Sequence, residues 1–401
     1  VTPPPALLEG VRVLDLTNVL AGPYACYQLA LLGADVVKVE VPGQGDLARQ
    51  LGADPARNAD RMGTSFIAQN SGKRSIEVDL KSEDGRATLR RLVAGADVLC
   101  ENFRPGVLER LGFGWEELRA INPRLVYCAI SGFGQDGPLR DRPAYDQIIQ
   151  GLSGMMATTG DPSTGPLRAG YPVADTLGGM AAAMAVAAAL VRARRDGVGA
   201  RLDVSMLETA ITAMGWVVSN QLIAGVQHEP IGNENMTAAP SGTFATGDGL
   251  INIAANKAEQ FAALCVAVGR PDLVTDERFA ERETRKRHRA ALRAELEAAL
   301  AARSAADWEE RLAAVGVPAG RVLSVADALA AEQVVARGLV QQVEVDGEPV
   351  PVLGHGVRVD GQVSRPRSGP PRLGAHTAEV LAELDASEPT RAEVTAGEGR
   401  R

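Results

Sequence analysis

The sequence predicts an α/β protein built on a doubly wound, mostly parallel sheet with helices on both faces. Three observations predict it. Short β-branched runs such as Val11–Leu16, Asp35–Val41 and Asp97–Phe103 recur along the first third of the chain. Helical patterns separate them, the alternation expected of strand–helix–strand crossovers. The chain has 401 residues, 45% of them apolar and 23% charged, enough for a large buried core and for more than one domain.

The elements follow in order. Val11–Leu16 (VRVLDL) reads as the first strand and Tyr24–Leu32 as a helix. Asp35–Val41 is a second strand, stopped by Pro42-Gly43, and Ser75–Leu80 a third with one polar face. Ser82–Ala94 is a helix with Ser82 as N-cap; Asp97–Phe103, Trp115–Ile121 and Arg124–Ser131 give strand, helix and strand. Residues 136–175 are rich in Gly, Pro, Asp and Thr, a long loop of the kind that carries function. A helix from Thr176 to about Arg195 comes next, then another over Asp203–Leu222. Residues 228–249 read as loop, Leu250–Ala254 as a strand, 256–315 as helical, and Val340–Val345 and Val350–Val352 as short strands; Ser387–Arg401 reads as a frayed tail.

Composition narrows the function. A net charge of −8 argues against a nucleic-acid partner held through phosphates. Cys26, Cys100, Cys128 and Cys265 form no CxxC pair, so neither a zinc site nor a disulfide framework is expected, and free thiols suit a reducing, cytoplasmic setting. The opening Val-Thr-Pro-Pro-Pro has no charged start leading into an apolar core, so no secretory signal is expected there. The uncharged run Leu177–Val191 is shorter than the roughly 20 residues of a spanning helix and mostly Ala and Gly, so it reads as a packing helix and no membrane partner is expected.

A doubly wound sheet invites a dinucleotide site, but Ala21-Gly22-Pro23-Tyr24 offers one glycine where GxGxxG needs three. GxSxG, HExxH and P-loop signatures are absent, and His228, His288, His355 and His376 are scattered without metal-like spacing. The central group of an enzyme built from this chain would therefore be a carboxylate, a tyrosine or a backbone site. Asp175, in Tyr171-Pro172-Val173-Ala174-Asp175-Thr176, is the candidate. An Asp before a long helix is a routine N-cap. The same position favours its ionised form, and an ionised carboxylate can attack an activated acyl group. Gly178 and Gly179 just beyond it point to close approach by a ligand or another chain.

Several motifs together carry a resemblance. Gly10-Val-Arg-Val-Leu-Asp-Leu-Thr17 with Ala21-Gly22-Pro23, then Gly33-Ala-Asp-Val-Val-Lys-Val-Glu40, Gly45-Asp46 and Lys73-Arg74-Ser75, come first. Glu101-Asn102-Phe103-Arg104-Pro105-Gly106, Gly137-Pro138, Tyr145-Asp146 and Ala174-Asp175 follow in register. Over about residues 8–380 the chain resembles the class III CoA-transferase (CaiB/BaiF) family, which includes formyl-CoA transferase, carnitine CoA-transferase and α-methylacyl-CoA racemase.

The resemblance implies a Rossmann-like large domain plus a smaller inserted α+β domain, in an interlocked homodimer. Mapped onto this chain, residues 1–200 form the large domain, 201–225 a linker helix and 226–325 the small domain; 326–401 return to the large one. The aspartate matching Asp175 would form an acyl anhydride and then an aspartyl-CoA thioester, moving CoA from an acyl-CoA to a free carboxylic acid. No permanent cofactor and no metal are implied; acyl-CoA and a small acid are the substrates. Lys73, Arg74, Asn102, Phe103 and Arg104 match the CoA-contact segments, with Arg49 and Arg142 as weaker candidates, and Leu20, Ala21, Tyr145 and Asp146 match the acyl site. Leu20 replaces the glutamine of formyl-CoA transferase, and Asn235–Gly242 stands where that enzyme has a glycine-rich lid. A larger acyl group, such as a short dicarboxylate, is expected instead of formate. The alternative is racemisation of a 2-methylacyl-CoA, but Tyr145 stands where the racemase branch has its histidine base.

Overall fold

In a computed structural model describing residues 6–387, six strands form one sheet in the order β3-β2-β1-β4-β5-β6. They are β1 Arg12–Asp15, β2 Asp35–Glu40, β3 Arg74–Glu77, β4 Val98–Glu101, β5 Val126–Ser131 and β6 Ala200–Ser205. Every neighbouring pair is parallel. The order reverses between β1 and β4, and sheets of this kind bind ligands outside the carboxyl ends of the strands at such a reversal.

Both faces of the sheet are covered, so its Val, Leu and Ile side chains are buried, and the charged Asp15, Lys38, Glu40 and Glu101 are buried with them. Val13, Val36, Val98, Val126 and Ile130 pack on one face beneath the helices Ala21–Leu31 and Val173–Asp196. Leu14, Val37, Leu99 and Ala129 pack on the other, beneath Glu83–Ala94, Trp115–Ile121 and the C-terminal helix Thr377–Ser387. Ser82 caps its helix as the sequence predicts, accepting the N–H of Gly85.

The helix Val173–Asp196 is long and apolar enough by composition to cross a membrane, yet Ala182, Val186, Ala189 and Ala193 are buried in the core beside the sheet. Its glycines answer to packing within this chain. A Cβ on Gly179 would lie 2.6 Å from the carbonyl oxygen of Ala21, and one on Gly178 would lie 3.0 Å from Cγ of Met206. The expected approach by a ligand or second chain is thus replaced by helix-on-helix contact.

Two compact units divide the chain. The first holds the six-stranded sheet and comprises the described residues up to Met155, Arg168–Val226 and those from Gln333 on. It also holds the antiparallel hairpin β10 Val340–Val345 with β11 Glu348–Leu353. The second comprises Met156–Leu167 and Gln227–Glu332. Its antiparallel sheet, β7 Ser241–Ala245, β8 Leu250–Ala254 and β9 Ala319–Arg321, packs with helices around Phe244, Ile251, Phe261, Leu296 and Trp308.

Two expectations change, and one helix forms where no element is predicted. Where the sequence predicts one helix over Asp203–Leu222 and a linker helix over 201–225, the chain first makes β6, then two helices, Met206–Ala213 and Gly215–Ala224. Arg201, Leu202 and Asp203 alternate between exposed and half-buried along β6, an edge strand whose polar residues hide its period. Second, Met156–Leu167 falls in the second unit, although the sequence mapping sets it within residues 1–200. Thr377–Ser387 is helical, with no element predicted there. The tail from Glu388 onward lies outside the described residues.

Candidate active site

The first wall of the site is the turn between β1 and the helix Ala21–Leu31. Asn18 and Asn102 exchange two hydrogen bonds, each 2.8 Å long, from the Asn18 N–H to Oδ1 and from Nδ2 to the Asn18 carbonyl. Leu20 flanks the helix start, half-buried, and Ala21 is buried. This ties the two acyl-site candidates at the start of that helix to the CoA-contact segment that follows β4.

That segment opens into a cleft of about 160 Å³ lined by Asn102, Phe103, Arg104, Arg140, Arg142 and Tyr145, among others. Five residues named from the sequence meet here, and Arg140 joins them unforeseen. Three guanidinium groups around one small cleft at the carboxyl edge of a parallel sheet suit a phosphorylated ligand. Phe103 also lines a larger neighbouring cleft, about 620 Å³, whose walls include Leu16, Val39, Val78, Leu80 and Val107, with Lys81 and Arg110 beside them. Nothing in the sequence marks this second cleft, because its walls come from the ends of four strands distant in sequence.

Asp175 sits in the first turn of the helix Val173–Asp196, whose N-cap is Pro172. It caps nothing. The capping acid is Asp146, buried at the start of the helix Asp146–Leu152, whose Oδ1 accepts the N–H of Ala174 at 2.8 Å and that of Asp175 at 3.4 Å. Gln150, fully buried, holds Asp146 in place by donating to Oδ2 at 2.6 Å and to the carbonyl of Tyr171 at 3.3 Å. Its own Oε1 accepts the N–H of Ala169 at 2.8 Å. Asp146 follows Tyr145, a wall of the arginine cleft, so Asp175 and that cleft are joined by two adjacent residues.

The electrostatics reverse one expectation. The helix N-terminus should favour the ionised form of Asp175, but burial and then the charge of Asp146 push its carboxyl up from 3.8 to about 7. An acid so poised is half-ionised at neutral pH and poorly solvated, both common among reacting carboxylates.

Lys73, Arg49 and Arg74 do not join the cleft. Lys73 is 1% exposed, and its three donors are spent on Asp15 Oδ2 at 2.8 Å, Asn70 Oδ1 at 2.8 Å and the carbonyl of Pro23 at 3.0 Å. Arg49 is buried over the ring of Phe66 and paired with Glu40. Arg74 binds Asp35, Glu379 and Glu383, and Asp35 opens β2, so this guanidinium lies at the amino edge of the sheet. A phosphate at the carboxyl edge is out of its reach. Adjacent Lys and Arg look like surface charge in a sequence; pairing with acids 39 to 309 residues away decides otherwise. Among the described residues no cluster of His, Cys, Asp or Glu is arranged to hold a metal ion.

The chain is 39% identical over 387 residues to the succinate–glutarate CoA-transferase of Agrobacterium fabrum, covering 96% of this chain and 97% of that one. It is 40% identical over 389 residues to the acetyl-CoA:oxalate CoA-transferase of Acetobacter aceti, with the same coverage. The crystal structure of a CaiB/BaiF family protein from Brucella suis superposes with a TM-score of 0.84 at 38% identity, over 96% of this chain and all of that one. Residues 8–377 match the profile of CoA-transferase family III, and the chain belongs to that family.

Proposed function

We propose that this enzyme moves CoA between an acyl-CoA thioester and a free carboxylic acid, with a short dicarboxylate as one of the acids, and that Asp175 carries the covalent intermediates. The observation that carries the reading is the carboxyl of Asp175, half-buried and raised to about 7, in a helix turn capped by Asp146, the neighbour of the cleft residue Tyr145. Its oxygen attacks the thioester carbonyl, the C–S bond breaks, and CoA leaves as thiolate. The thiolate attacks the aspartyl carbonyl of the anhydride, which releases the donor carboxylate and leaves an aspartyl-CoA thioester. The acceptor carboxylate repeats the two steps in reverse. A thioester is exchanged for a thioester, and no net proton is consumed.

Arg104, Arg140 and Arg142 suit the phosphates of CoA, and the apolar cleft across Phe103 suits its adenine. The named substrates of the two relatives, succinate, glutarate and oxalate, favour dicarboxylates. A homodimer is part of the proposal; Trp216 and Ile223, each 86% exposed, and Met184 at 71% leave apolar surface for a second copy to cover. Light scattering on dilution should show no folded monomer.

The test is to incubate the enzyme with succinyl-CoA or acetyl-CoA and a panel of mono- and dicarboxylic acids, and to identify new thioesters by mass spectrometry. Hydroxylamine added during turnover should convert Asp175 to a hydroxamate. New thioesters without a modified Asp175 would reject the covalent route. Rapid deuterium uptake at the α-carbon of a 2-methylacyl-CoA in D2O would favour racemisation instead.

A further inference from the structure

Val19 has a φ of 68°. A β-branched residue rarely adopts this left-handed conformation, because its Cβ crowds the backbone. Such strain persists only where the surroundings over-determine it. Here they do. Asp46, on the loop after β2 and 2% exposed, accepts the Val19 N–H through Oδ1 at 3.0 Å and the Ala48 N–H at 2.8 Å. Its Oδ2 lies 2.9 Å from Nζ of Lys38. Lys38, fully buried on β2, also donates to the carbonyl of Thr17 at 2.9 Å. The pair therefore grips the turn on both sides of Asn18. Asn18 in turn is bonded twice to Asn102, beside the arginine cleft, and its Oδ1 accepts the N–H of Leu47.

A buried ion pair is weak evidence for stability, since desolvation offsets much of the attraction. What this pair does hold is a backbone shape that the turn would otherwise leave. The shape has two outputs. It sets Leu20, where the chain enters the helix Ala21–Leu31, and it presents the Asn18 peptide to Asn102.

We propose that Asp46 is a positioning residue for CoA transfer: with Lys38 it locks Val19 in the left-handed conformation, which places Leu20 and the Asn18–Asn102 contact in the geometry that the reaction uses. The proposal rests on the transferase reading for its activity, and the closing experiment carries a readout that does not.

The test uses the full-length enzyme. Asp46→Ala should lower kcat/KM for transfer by about 30-fold or more, the size expected when a reacting geometry is misplaced. Glycine takes positive φ without the Cβ cost, so Val19→Gly in the Asp46→Ala background should restore about tenfold of that loss. A merely structural Asp46 would give a melting-temperature loss that Val19→Gly does not repair, with kcat/KM unrestored. Hydrogen exchange supplies the activity-free readout: the peptide spanning Leu16–Ala21 should exchange about tenfold faster in Asp46→Ala and return towards wild type in the double variant. If Asp46→Ala does not fold, the same comparison is made with Asp46→Asn, which keeps an oxygen for Val19 and loses the charge facing Lys38. Wild-type enzyme without transferase activity would reject the transferase reading alone. Unchanged exchange at Val19, or equal kcat/KM in the single and double variants, would overturn the positioning role.

Discussion

Asp146 accepts the backbone N–H of Asp175, so two acids share the mouth of one helix, one as its cap and the other as the group we propose to react. The first is buried and held by Gln150; the second is half-buried and faces the charge of the first. Division of labour between paired carboxylates follows from such unequal surroundings.

The pH dependence of transfer should report Asp175. In the proposed mechanism its carboxylate form is the nucleophile, so kcat/KM should fall about tenfold per unit below pH 7 and level off above it. Asp146→Asn should lower the midpoint, but only partway to 3.8, because burial is the larger cause of the shift. A pH–rate profile of both proteins checks this.

Asp175→Asn should lose transfer by about 10³-fold or more, since an amide does not form the anhydride. It should also stabilise the fold at pH 8. The folded-state value of Asp175 is raised, so its contribution is present at low pH and is lost as pH rises from about 4 to about 7. The melting temperatures of variant and wild type should therefore match near pH 4 and separate above pH 7, with the variant higher. Asp175→Ala should behave alike, because Asp175 caps no N–H group.

Arg104→Ala should raise KM for acyl-CoA about tenfold or more while kcat changes little, the pattern of lost uniform binding. Steady-state kinetics at two salt concentrations would check it, since a phosphate contact weakens with salt. An unchanged KM would remove Arg104 from the cleft's function.

Gly179→Ala should destabilise the protein by about 1–3 kcal/mol, the cost of an extra carbon in a packed core. The new Cβ would meet the Ala21 carbonyl oxygen at 2.6 Å and the ring of Tyr24 at 3.0 Å, neither of which is a flexible chain end. Urea denaturation measures it.

Much of this was legible in the sequence, and the rest was hidden for identifiable reasons. β1, β2, β4 and β5 are buried on both faces, and short stretches rich in Val, Leu and other apolar residues announce them, although Asp15, Lys38 and Glu101 are buried among them. β6 is an edge strand with Arg201 and Asp203 outward, so its pattern imitates the polar face of a helix. Asn102, Phe103, Arg104, Arg142 and Tyr145 come together as their motifs imply. Lys73 was misplaced because its partners Asp15 and Pro23 lie far away in sequence. Asp146 as the cap of another helix is a contact across 28 residues, and no local pattern encodes it.

The C-terminal helix has a consequence for how the chain is made. His376 donates its N–H to the Ser75 carbonyl at the outer strand β3, Thr377 accepts the N–H of Glu77, and Val380 and Leu384 fill the core beside Leu14 and Val37. A growing chain on the ribosome therefore has all six strands long before that core can be sealed. The second unit, wholly contained between Met156 and Glu332, emerges complete while its host is still open. Nascent chains stalled short of Val380 should bind chaperones through the uncovered face of β3 and its neighbours, and release should coincide with emergence of the last helix.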